Sequence, residues 1–264
     1  MLITQDIAMT DNGPQFFGIC SGVILNRRIV LTAAHCLAQG AIKLKIILNP
    51  DPRSSPELKQ DIYSVLDSSI NLDYDNKNSK KSLYQLKQNS DLALLFVDRD
   101  FQNVDEDIEP NFFFNPNPLD QTAGSEDLKL VVAGFGKTSA LKDISKISFQ
   151  DLNGVLKKAM LSAKVAQVKK TYFTLSQKNA AGVCFGDSGG PVFTDEAGRY
   201  SLVAIAIGVF QVETANFEMQ LNRKSTTDCV GYGLYLNLYF YQKWILESML
   251  ELQKAQASSA LNPI

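Results

Sequence analysis

Short apolar segments alternate with polar, turn-forming stretches along most of this chain. Segments 19–25, 29–32, 42–48, 92–97, 130–133, 192–193, 202–209 and 234–238 are rich in Val, Ile, Leu and Phe and are punctuated by Gly, Pro, Asn, Asp and Ser. Many short strands with such punctuation predict an all-β sandwich or barrel architecture. No regular long helices separate the strands, which argues against a doubly wound α/β sheet. Near the end the period changes. Leu238, Tyr241, Ile245, Met249 and Leu252 recur at helical spacing, with Phe240 and Trp244 alongside, and predict a packing helix over 238–254. The small and polar residues 255–264 are expected to fray.

Two polar interruptions organise the rest. Residues 49–89 read as long surface loops around one or two strands, and the acidic stretch 67–75 reads as solvated loop in preference to a calcium site. Residues 104–125 are rich in Asp, Glu, Asn and Pro and suit a connection between two halves, with Phe112, Phe113 and Phe114 expected to pack between them. The expected division is 1–115, 116–237, the helix 238–254 and the tail 255–264.

Composition narrows the class. With 264 residues, 45% of them apolar, the chain can bury a substantial core. No apolar run reaches the roughly 20 residues of a membrane span. A net charge of −2, with Lys and Arg scattered, gives no electrostatic footprint for nucleic acid. Four cysteines permit three disulfide pairings and, if oxidised, imply a secreted or periplasmic protein. Residues 1–10 do not read as a signal peptide.

The candidate chemistry sits in Gly186-Asp187-Ser188-Gly189-Gly190-Pro191 and in Leu31-Thr32-Ala33-Ala34-His35-Cys36, which holds the chain's one histidine. A serine hydroxyl becomes a strong nucleophile only when a neighbouring base takes its proton. The glycine–serine pattern alone also fits an α/β-hydrolase elbow, but that fold places its histidine after the serine, and none follows Ser188. The subtilisin order needs an acid before the histidine, where only Asp6 and Asp11 stand, neither in a supporting motif. The order His, Asp, Ser remains. Asp91 is the favoured acid, because it opens the apolar strand Asp91-Leu92-Ala93-Leu94-Leu95 and an imidazole partner would justify its burial.

These three segments together resemble the signatures of the chymotrypsin/trypsin-like serine peptidases, in a member expected to be of bacterial type. Gly134-Phe135-Gly136 resembles the family's Gly-Trp-Gly turn, and Cys20-Ser21-Gly22-Val23-Ile24-Leu25 resembles the strand that leads to its histidine loop. The resemblance implies two six-stranded antiparallel β-barrels with a C-terminal α-helix. It implies Ser188 as nucleophile, His35 as base, Asp91 as orienting acid, and the amides of Gly186 and Ser188 as an oxyanion hole. It further implies disulfides Cys20–Cys36 and Cys184–Cys229, each worth roughly 3–4 kcal/mol in the loop-entropy view. The specificity pocket maps to Gly182, Val183, Ala206, Ile207 and Gly208. Glycine at 182, where trypsin-like members carry an aspartate, points to apolar P1 side chains of small to medium size.

One element of the family pattern is missing. The free N-terminal Ile-Val-Gly-Gly whose amine pairs with the aspartate before the serine, here Asp187, has no counterpart before Cys20. Either the start lies upstream, another group pairs with Asp187, or the site is zymogen-like. The expected function is therefore a serine endopeptidase acting on polypeptides, subject to protein inhibitors, monomeric, and without cofactor, metal, nucleic-acid partner or membrane span. The alternative is a non-catalytic or zymogen-locked homologue acting as a binding module.

Overall fold

The computed structural model describes residues 1–10, 13–37, 43–53, 58–71, 90–102, 104, 129–137, 154–162, 165–168, 171–177, 180–196, 198–210, 229 and 231–261. In chain order the strands are β1 (Leu2–Thr4), β2 (Asp6–Thr10), β3 (Gly13–Phe17), β4 (Cys20–Ser21), β5 (Val23–Ile24), β6 (Ile29–Thr32), β7 (Lys45–Ile47), β8 (Ile62–Ile70) and β9 (Ala93–Val97). These are followed by β10 (Lys129–Gly134), β11 (Lys157–Ser162), β12 (Val165–Val168), β13 (Tyr172–Ser176), β14 (Pro191–Glu196), β15 (Arg199–Phe210) and β16 (Tyr232–Asn237).

Two antiparallel sheets carry the architecture. The first runs β4-β1-β7-β8-β9-β6-β5 and the second β11-β10-β14-β15-β16-β13-β12; β2 and β3 pair apart from both. In each large sheet the two outermost strands are consecutive in the chain. β4 and β5 are separated only by Gly22, and β11 and β12 only by residues 163–164. A sheet whose two edges belong to one stretch of chain has closed on itself, which removes its exposed edges. Counting each such stretch once leaves six strands per barrel, as expected.

Burial explains why the strands form where they do. β6 and β9 are buried along their whole length and pair with each other from Ile29↔Phe96 to Thr32↔Ala93, at the centre of the first barrel. The second barrel packs Leu130, Phe173, Val192, Val203 and Tyr235 into its own core. Phe135 of the Gly134-Phe135-Gly136 turn crosses over and packs with Leu2, Ile47 and Leu58, tying the barrels together.

A short 3-10 turn, Leu238–Tyr241, leads into the helix α1 (Gln242–Leu261). Asn237 accepts from the Tyr239 amide at the entry. Leu238, Tyr241, Ile245, Met249 and Leu252 are all buried in the core shared with the first barrel, and Ser248 bonds Ser69 of β8 at 3.1 Å. The helix continues to Leu261 rather than fraying after Lys254. Ala255, Ala257, Ala260 and Leu261 are good helix formers, and their propensity outweighs the polarity that suggested a loose end. Among the described residues no helix is long and apolar enough to cross a membrane. Residues 67–70 of the acidic stretch belong to β8 instead of the expected loop; residues 72–75, the expected inter-barrel boundary, the aromatic run 112–114 and residues 211–228 lie outside the described residues.

Candidate functional site

Strand register places the histidine and the aspartate. β6 ends at Thr32 opposite Ala93 of β9, so the residues just beyond each strand end are neighbours. His35 stands on the 3-10 turn Ala34–Leu37 that follows β6. Asp91, fully buried, stands two residues before β9. Its Oδ1 accepts the His35 backbone N–H at 2.8 Å, and its Oδ2 lies 2.7 Å from His35 Nδ1. An ionised carboxylate only accepts. The contact therefore puts the imidazole proton on Nδ1 and leaves a lone pair on Nε2. The disulfide Cys20–Cys36 fastens this turn to β4.

The serine turn is held from both barrels. Gly186 and Gly189 have positive φ, 97° and 81°. Inside the second barrel, the Asp187 amide donates to Cys184 O, Gly190 to Asp187 O, and Gly189 to Ala206 O at 2.7 Å. From the first barrel, the Ser21 amide donates to the Ser188 carbonyl at 2.7 Å, and the Cys36 sulfur lies 3.8 Å from that same oxygen. The Ser21 hydroxyl donates to Gly186 O at 2.8 Å and accepts from the Phe135 amide at 2.9 Å. Thr32, three residues before His35, donates its hydroxyl to Ser21 O at 2.8 Å. Thr32 and Ser21 thus form a buried polar bridge from the histidine strand to the serine turn. A side chain at Gly189 would collide with the Thr32 hydroxyl and with the backbone of Ser21 and Ala33. Only glycine lets the two segments pack this closely.

Two amides of the turn, those of Gly186 and Ser188, have no hydrogen-bond partner among the described residues. The Gly186 carbonyl is anchored on Ser21, which fixes the orientation of that peptide.

Asp187 turns its carboxylate away from Ser188, onto backbone amides. Oδ1 accepts from Gly136 N–H and Oδ2 from Cys184 N–H, each at 2.8 Å. Burial pushes its pKa up from 3.8 to about 6, opposed by these two amides and by the charge of Lys157.

The expected pocket residues divide. Ala206 braces the serine turn through its backbone and Ile207 is buried in the core shared with the first barrel, whereas a side chain at Gly208 would meet open space. Gly182 and Val183 pack against Gln177, a buried residue absent from the expected set. Gln177 donates Nε2 to Val183 O (2.9 Å) and Cys229 O (2.7 Å), and accepts Val183 N–H at 2.8 Å. The disulfide Cys184–Cys229 closes beside it.

Sequence reading missed Ser21, Thr32, Gln177 and Lys157. Ser21 and Thr32 lay inside quoted motifs, but a small hydroxyl residue carries no mark of a long-range bridge. Cys20, His35 and Cys36 also cluster closely enough for a metal, but both sulfurs are in the disulfide and offer no thiolate.

The sequence model of the trypsin family matches residues 6–245, nearly the whole chain. Granzyme M of Rattus norvegicus is 28% identical over 195 residues, covering 66% of this chain and 64% of the granzyme's own length. The chain thus spans a little under two thirds of that relative. A mammalian relative lends no support to the expectation of a bacterial-type member.

Proposed function

Because the chain belongs to the trypsin family, we propose that it is an active serine endopeptidase in which Ser188, His35 and Asp91 form the triad. The single observation that carries this reading is the buried Asp91 carboxylate bonded to both the backbone and the ring of His35. It fixes the tautomer that a general base needs.

In this reading His35 Nε2 takes the Ser188 hydroxyl proton as the oxygen attacks the substrate carbonyl. The resulting oxyanion receives the Gly186 and Ser188 amides, and the imidazolium is stabilised by Asp91. His35 then returns the proton to the leaving amine, and water hydrolyses the acyl-enzyme by the same route. The two amides without a partner among the described residues and the anchored Gly186 carbonyl support the oxyanion role. The neutral Gln177 amide behind Gly182, with its oxygen and nitrogen already bonded, supports a pocket for apolar side chains of small to medium size, flanked by Val183 and opening past Gly208. The disulfides support secretion or periplasmic residence.

Fluorophosphonate labelling of the disulfide-intact protein tests the proposal. Labelling that disappears in Ser188→Ala is expected. A folded wild-type protein that does not label would favour the binding-module alternative. On a chromogenic peptide panel, a clear preference for Arg or Lys at P1 would overturn the pocket assignment.

A further inference from the structure

A cavity of about 360 Å³ opens behind the serine turn, lined among others by Gly136, Lys157, Cys184 and Asp187. A buried carboxylate is costly unless hydrogen-bonded and paired with a cation. Asp187 has its two amides, and Lys157 stands across the Gly136 peptide from it, its charge felt by Asp187 without an ion pair within 4 Å. Lys157 opens β11 opposite Gly134 of β10, so strand register delivers it to the Gly134-Phe135-Gly136 turn. Its ammonium donates to Gly136 O at 2.7 Å and to Val155 O at 3.3 Å. Gly136 therefore holds both groups, its N–H on Asp187 and its carbonyl on Lys157. A side chain at Gly134 or Gly136 would overlap the Asp187 carboxylate, so the turn is built of glycine where that carboxylate enters.

We propose that Lys157 is a built-in counter-ion for Asp187, a positioning residue that acts through the Gly136 peptide to hold the Cys184–Ser188 turn in its assembled form. Burial lowers the Lys157 pKa while the charge of Asp187 raises it, the reciprocal of the effect on Asp187. The other titratable groups around the pair are Tyr235 of β16, which Asp187 influences, Arg53, which opposes Lys157, and Lys137 and Lys158 lining the same cavity. An internal cation makes assembly of the turn independent of a newly released chain terminus. What the turn is for rests on the peptidase reading; the coupling itself does not.

The test compares Lys157→Met, Lys157→Arg and the exposed neighbour Lys158→Met in the full chain with disulfides intact. Thermal unfolding at pH 5 and pH 8 reads the coupling without any activity. The expected result is a larger loss of Tm for Lys157→Met at pH 8, where Asp187 is ionised, than at pH 5. Lys158→Met should shift equally at both, and Lys157→Arg should keep the wild-type dependence. In an Asp187→Asn background the Lys157→Met effect should lose its pH dependence, which also serves if the single variant folds poorly at pH 8. Equal losses at both pH values, or an undiminished effect in the Asn background, would overturn the coupling. Fluorophosphonate labelling at pH 8 should slow at least tenfold in Lys157→Met and stay within twofold in Lys158→Met; an unchanged rate would overturn the positioning role. A wild-type protein that never labels would sink the peptidase reading, and the thermal comparison would still decide the coupling.

Discussion

The backbone N–H of Ser21 donates to the carbonyl oxygen of Ser188 at 2.7 Å, so the first barrel grips the second at the peptide of the proposed nucleophile itself. The Ser21 hydroxyl adds bonds to Gly186 and Phe135, and the residue is 1% exposed.

Ser21→Ala removes that hydroxyl and strands a buried carbonyl and a buried amide. Each unsatisfied group typically costs about 1–3 kcal/mol, so a loss of roughly 2–6 kcal/mol is expected in urea unfolding. Labelling of Ser188 should slow as well, because the Gly186 peptide loses its anchor. Unchanged stability would mean that water replaces the hydroxyl.

Asp91→Asn keeps the shape but turns an acceptor toward a donor. The amide nitrogen facing His35 Nδ1 would favour the proton on Nε2, and the base would be lost. A fall in kcat of about 10⁴-fold is expected, the size known for this exchange in chymotrypsin-like enzymes rather than one obtained from the present geometry. Steady-state kinetics on a responsive peptide substrate measure it; a loss below tenfold would argue for a different acid.

Asp187 sets a pH dependence of stability. Its folded pKa, about 6, lies above the unfolded value of 3.8, so the folded protein binds the proton more tightly. Its contribution is fully present below about pH 4 and is lost as pH rises through about 6. Asp187→Asn removes that titration but leaves one of the two amide donors, Gly136 or Cys184, facing an NH₂ group. The variant should therefore be weakest relative to wild type near pH 4, with the gap narrowing above pH 6, as followed by urea unfolding across that range.

Gly189 and Gly198 make a controlled pair, with φ of 81° and 85°. A side chain at Gly198 meets nothing within 4 Å, whereas one at Gly189 meets Thr32, Ser21 and Ala33. Gly198→Ala should cost only the backbone strain, roughly 1–2 kcal/mol. Gly189→Ala should cost several times more and abolish labelling. Similar shifts in Tm for the two would show that the serine turn can move away from the histidine strand freely.

The expected strands were those with dense apolar runs: segments 29–32, 92–97, 202–209 and 234–238 correspond to β6, β9, β15 and β16. β11 and β12 were not anticipated, because KKAMLS and VAQV mix polar and apolar residues along short strands. β1, β2 and β3 are short, and no dense apolar run marks them. The His35–Asp91 pair was legible because a carboxylate heading an apolar strand needs a reason to be there. Gln177 and Lys157 were not, since a lone Gln or Lys reads as surface until the fold shows a carbonyl or carboxylate waiting for it. Which group stands near Asp187 depends on the β10–β11 register, which no local pattern encodes.

Barrel closure through Gly22 has a temporal consequence. The His35–Asp91 bond spans 56 residues and forms within the first barrel, whereas the Ser21–Gly186 bond spans 165. Contacts so distant in sequence form late, because the intervening chain must first be ordered. In a growing chain His35 and Asp91 can meet once residue 91 has been made, whereas the Ser21–Gly186 bond must wait for residue 186. The turn that carries Ser188 is thus the last of the three proposed catalytic segments to be joined to the first barrel.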